Sequence, residues 1–128
     1  MAFHGEDGYP YAIPLDYYYD GERLYFHCAK EGHKLDALRA DNRVSFCVMD
    51  EGFRKDGDWA LNITSVVIFG RLRELTDRGE IIEKLRLLGN KYYPTEDEVE
   101  REIDRFLDRV CMLELTVDHM TGKLVNEK

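Results

Sequence analysis

The chain has 128 residues and a mass of 15.0 kDa, the size of one domain, and a folded monomer of that mass exposes roughly 7,000 Å². Hydrophobic residues make up 44% and charged residues 34%, a globular mixture and not a disordered one. The 26 acidic residues against 18 basic ones leave a net charge of −8, which opposes a nucleic-acid footprint.

No stretch approaches the roughly 18 apolar residues of a membrane span, and the N-terminus MAFHGEDGYPYAIP lacks the pattern of a signal peptide. Cys28, Cys47 and Cys111 are odd in number and form no C-x-x-C, so a reducing cytoplasm is expected and a disulfide framework is not.

In chain order, Ala2–His4 reads as a short strand and Asp7-Gly8 as a hairpin turn. Pro10 to Tyr19 reads as the return strand, with Pro10 and Pro14 at an edge or bulge because neither has an N–H. In Tyr17-Tyr18-Tyr19 the middle ring is expected on the opposite face from the other two. Asp20-Gly21 makes a second turn and Leu24–Ala29 the next strand. Glu31–Arg39 is a short helix, with Leu35 and Leu38 on one face.

Val44, Phe46 and Val48 alternate with polar or smaller residues, which predicts a strand over Arg43–Met49. Asp50–Asp58 reads as a mobile loop. Leu61–Leu75 is a long strand, in which Gly70 marks a bulge or a close backbone approach. Asp77 caps a helix running to about Gly89, where Gly89-Asn90 should stop it. Thr95 and Glu98 form a capping box for a second helix, with Val99, Ile103, Phe106 and Leu107 as its apolar stripe. Val110–Val117 is a final strand, followed by a turn at Thr121-Gly122-Lys123. The sum is one β-dominated α+β domain over residues 1–128, most economically a small closed or split barrel.

The most informative stretch is Tyr25-Phe26-His27-Cys28-Ala29-Lys30-Glu31-Gly32-His33-Lys34. A strand ends, a glycine frees the backbone and a helix begins, with His33 and Lys34 near its first turn. Cations are disfavoured at a helix N-terminus, so the pattern fits either a bound phosphate or a solvated basic turn. Pro10-Tyr11-Ala12-Ile13-Pro14-Leu15 is either an irregular edge strand or a backbone ribbon able to hydrogen-bond a flat heterocycle. His27, Cys28 and His33 match no zinc spacing, and no metal is expected. Cys28 has no triad partner in sight. From Thr95 to Asp108 the acids read as a solvated helix face.

At these residues the chain resembles the pyridoxamine 5′-phosphate oxidase-like, FMN-binding split-barrel superfamily, and within it the nitroimidazole-resistance branch. The resemblance rests on Asp7-Gly8, on Pro10-Tyr11-Ala12-Ile13-Pro14-Leu15 and on Tyr25 to Lys34. Ser65-Val66-Val67-Ile68-Phe69-Gly70 and Thr121-Gly122-Lys123 complete it, in order and with matching spacing.

It implies a six-stranded antiparallel Greek-key split β-barrel with two or three peripheral helices. It also implies a homodimer with FMN in two interface grooves. It favours phosphate binding by His33 and Lys34. Tyr11, Ala12, Ile13, Pro14 and Leu15 would run along the flavin ring. His27 and Cys28 would stand beside the flavin and its ribityl chain, and Ser65 would reach FMN, across the dimer. The implied activity is an FMN-dependent reductase taking electrons from NAD(P)H to a small acceptor such as a nitroaromatic, with His27 as the group that tunes the flavin. The alternative is a non-catalytic module storing or sensing flavin or haem, with His27 as the axial ligand.

Two departures qualify the resemblance. Family members usually carry a helix before the first strand, so either a more open groove or a true start further upstream is expected here. The Arg- and Trp-bearing C-terminal segment of true pyridoxamine phosphate oxidases is missing, so vitamin B6 oxidation is not implied.

Overall fold

The computed structural model describes residues 1–126. Strands β1 (Ala2–His4), β2 (Pro10–Ala12), β3 (Tyr18–Tyr19) and β4 (Arg23–Ala29) come first. Helix α1 (His33–Ala40), β5 (Arg43–Met49) and β6 (Asn62–Glu74) follow. Helices α2 (Arg78–Tyr92) and α3 (Glu96–Phe106) then lead through a 3-10 turn to β7 (Val110–Asn126).

Among the described residues the strands join one antiparallel sheet in the order β2-β1-β5-β6-β7-β4-β3. Its inner face encloses Phe26, Phe46, Ile68, Leu72, Leu113 and Leu115. Ile13, Leu15 and Tyr17, on the link between β2 and β3, pack on the same core. That link lies across the open side of the sheet and makes a split β-barrel.

Helix α1 holds Leu35, Ala37 and Leu38 in this core. Full burial of a leucine contributes about 1.5–3 kcal/mol, so Leu35 and Leu38 together anchor a helix of only two turns. Helices α2 and α3 lie on the other face of the sheet. There Leu88, with Leu85 and Ile81 beside it, packs on Tyr25, Leu75 and Met112.

Several expectations need correction. Pro10 to Tyr19 is not one strand but two, because Pro14 cannot donate to a ladder; the sheet therefore has seven strands and not six. Gly89-Asn90 does not stop α2, which runs on to Tyr92. A Cβ at Gly89 would lie 2.8 Å from Val99 Cγ1, so Gly89 is there to let α3 approach. Thr121-Gly122-Lys123 is no turn: β7 continues to Asn126 as the ladder partner of β6, with Gly122 opposite Val66. The 50–58 loop is tied down by Phe53, which exchanges backbone hydrogen bonds with Asn62 at 3.0 and 2.9 Å.

Other expectations hold. The β6–β7 register shifts between Phe69 and Gly70, where a Cβ would meet Thr116 O at 2.2 Å. Tyr17 packs on the barrel core and Tyr18 on the helical side.

Candidate cofactor site

The turn from β4 into α1 is built around Gly32. Its φ of 140° and ψ of 169° are open essentially to glycine alone. The chain turns there and enters α1 with no side-chain cap. The Leu35 and Asp36 amides donate to Gly32 O at 3.1 and 3.2 Å. The amides before them have no intrahelical acceptor.

His33 and Lys34 open this helix, and Asp36 is the acidic residue of its first turn. The His33 ring stands edge-on to Tyr11, with centroids 4.6 Å apart. Tyr11 in turn leans on Phe3. The structure thus brings the predicted residues Tyr11, His33 and Lys34 to one corner, where β2 meets α1.

The remaining ribbon residues are differently engaged. Ala12 pairs with Ala2 in the β1–β2 ladder. Both backbone groups of Ile13 are taken: its N–H donates to Met1 O at 2.9 Å, and its carbonyl accepts from the Met1 amine at 2.7 Å. Pro14 is exposed and Leu15 packs on the core.

His27 and Cys28 are neighbours in sequence and therefore point to opposite faces of β4. Cys28 turns into the barrel and sits directly opposite Cys111. His27 turns outward into a cleft of about 320 Å³ between β4, α2 and α3. Leu88, Tyr92, Tyr93, Ile103 and Phe106 form its apolar walls, and Asp16 stands at its polar side. Desolvation pulls the His27 imidazole below its usual range; Asp16 opposes the shift and Lys34 adds to it. His27 is accordingly a neutral imidazole at pH 7, with one N–H to donate and one nitrogen to accept. The charge of Lys34 disfavours the protonated His27 and favours the Cys28 thiolate.

Ser65 stands apart. It lies on β6 between Met49 of β5 and Lys123 of β7. Its face of the sheet points away from the core and carries Met49 and Phe69, 69% and 51% exposed.

The family described as pyridoxamine 5′-phosphate oxidase matches residues 1–124. The chain belongs to this family. A candidate 5-nitroimidazole antibiotic resistance protein from Bacteroides thetaiotaomicron shares its fold, with a TM-score of 0.77 at 21% identity over 98% of this chain and 75% of that one. An FAD-binding protein from Mesorhizobium loti aligns with a TM-score of 0.68 at 24% identity, over 97% and 83% of the two chains. An uncharacterised protein of Rhizobium meliloti is 35% identical over 69 residues, which span 54% of this chain and 41% of that relative.

For a member of the pyridoxamine 5′-phosphate oxidase family, the α1 corner is chemically suited to a flavin phosphate. A Cβ at Gly32 would meet nothing within 4 Å, so the space beside the uncapped turn is open. Lys34 supplies a compact positive charge there. The donor set and the open space both fit a phosphate.

Sequence reasoning missed the cleft above His27. Tyr92 and Tyr93 lay beyond the expected helix end, and Asp16 carried no motif. The tie between α2 and the link that precedes β3 was equally hidden. Tyr92 Oη accepts from Tyr17 N at 3.1 Å, and Lys91 Nζ donates to Tyr17 O at 2.7 Å while lying 3.4 Å from the Tyr17 ring centre. A longer α2 would have been the signal.

Proposed function

We propose that this protein is an FMN-dependent oxidoreductase that works as a homodimer, taking electrons from a nicotinamide donor and passing them to a small acceptor such as a nitroaromatic. The observation that carries the reading is the uncapped start of α1, which carries Lys34 and packs His33 against Tyr11, in a chain of this family. FMN, when bound, supplies the two-electron redox chemistry.

The protein's own residues would then divide the work. The leading amides of α1 and Lys34 Nζ hold the phosphate, through the helix dipole and a charge-assisted hydrogen bond. Tyr11 supports the His33 ring, so that both line the same corner. His27, kept neutral, presents a ring N–H beside the α2–α3 cleft, where it can donate to an electron-rich group. The apolar walls of that cleft exclude water and favour a flat, weakly polar acceptor.

Two observations support a dimer. The chain exposes 8545 Å², about a fifth more than the roughly 7,000 Å² expected for its mass. The outer face bearing Met49, Phe69 and Ser65 offers an apolar surface of the kind that marks an interface. Burying it would carry Ser65 into the groove between two chains.

The test is spectral and kinetic. Purified protein should bind FMN with a flavin absorbance band, and the bound flavin should bleach with NADH or NADPH and recover on adding a nitroaromatic. Protein that never takes up FMN overturns the reading. A Soret band without flavin, lost in His27→Ala, replaces it with the haem alternative.

A further inference from the structure

Cys28 and Cys111 occupy directly opposed positions on the antiparallel strands β4 and β7. Directly opposed residues have Cα atoms about 4.5 or 5.5 Å apart and side chains on one face. Both separations fall within the range of roughly 4.4–6.8 Å that a disulfide spans. Each cysteine retains 8% of its surface, and both are free thiols.

A buried cysteine is usually a small apolar residue of no chemical consequence. This pair differs in having polar company. The two thiols face each other across the β4–β7 ladder. Cys111 also donates to Glu74 Oε1 at 3.7 Å, and Glu74 is held by Arg39 at 2.8 Å. Cys111, Glu74 and Arg39 line an open cleft of about 500 Å³ together with Lys30 and Arg78, so a small polar oxidant has a route to the Cys111 side of the pair, with Cys28 directly opposite.

We propose that Cys28 and Cys111 form a reversible dithiol–disulfide couple oxidised by hydrogen peroxide. It is independent of the flavin reading. The two thiols are electrostatically unlike. The Cys111 thiol, with Lys34 and Arg39, draws Cys28 below the ordinary thiol range against its burial and Glu74. The contact with Cys28, burial and Glu74 push Cys111 up. Cys28 is therefore the attacking sulfur and Cys111 the resolving one.

The Cys28 thiolate attacks one peroxide oxygen and the O–O bond breaks. Cys28 becomes a sulfenic acid, and the departing hydroxide takes a proton to become water. The Cys111 sulfur then attacks the Cys28 sulfur. The S–S bond forms, the S–O bond breaks, and the hydroxyl leaves as water with the Cys111 proton. Two thiols and one peroxide give one disulfide and two waters. A thiol reductant restores the dithiol by exchange.

The experiment treats the full-length protein with one equivalent of hydrogen peroxide, alkylates it under denaturing conditions, and maps its peptides by mass spectrometry. The expected result is a peptide pair joined through Cys28 and Cys111, short of two hydrogens. The fraction joined should not depend on protein concentration, Cys47 should stay alkylated, and dithiothreitol should release the link. In Cys111→Ser the sulfenic acid should persist and react with dimedone at Cys28. Recovery of both residues as alkylated thiols after peroxide would overturn the proposal. So would oxidation of Cys28 to a sulfinic acid while Cys111 stays untouched.

Discussion

The start of α1 and the starts of α2 and α3 face one physical problem and meet it differently. Every helix leaves its leading N–H groups unpaired. In α2 the Asp77 carboxylate accepts from Glu80 N at 2.8 Å. In α3 the Thr95 hydroxyl accepts from Glu98 N at 3.3 Å and donates to the Glu98 carboxylate at 3.0 Å. Glu96, Asp97 and Glu98 then place negative charge where the α3 dipole favours it. α1 begins on a glycine with no side-chain cap and places His33 and Lys34 ahead of Asp36 in its first turn. The two capped helices are complete in themselves. The third leaves its leading amides to solvent or to a ligand, and under the proposed function a flavin phosphate would take them.

Substitutions at the two kinds of helix start should behave oppositely. Lys34→Ala removes a charge-assisted bond of about 1.5–3 kcal/mol, so FMN affinity should fall by about 10- to 100-fold while the melting temperature barely moves. Fluorescence titration and a thermal melt check the two halves. Gly32→Ala forces a Cβ onto the φ of 140° and should cost about 1–3 kcal/mol of stability in urea unfolding. Thr95→Ala should cost about 1 kcal/mol by the same measurement and leave FMN affinity unchanged. A loss of FMN binding in Thr95→Ala would erase the contrast.

The smallest effect concerns pH. His27 is held below its usual range by desolvation, so below about pH 6.5 the unfolded chain binds a proton that the native state does not. This part of the stability is intact above that pH and is lost as pH falls toward the folded value. His27→Gln should flatten the slope of stability against pH in that window. An unchanged slope would show that His27 is not desolvated.

Much of this was legible in the residues. The alternation of Val44, Phe46 and Val48 defines β5, and Asp77 and Thr95 mark two helix starts. Gly32 followed by His33 and Lys34 marks the third. What stayed hidden depends on contacts distant in sequence. Gly89 looks like a helix stop until Val99 is placed against it. Thr121-Gly122-Lys123 looks like a turn until the length of β6 demands a partner. His27 and Cys28 look like one site until the pleat sends them to opposite faces. The opposition of Cys28 to Cys111 needs the β4–β7 register, which no local pattern contains.

The most direct test of the central claim compares FMN with riboflavin, which lacks only the phosphate. Titrated into the wild-type protein, FMN should bind at least tenfold more tightly than riboflavin, and Lys34→Ala should close most of that gap. Equal affinity for the two in the wild-type protein would contradict the assignment of the α1 start as the phosphate site.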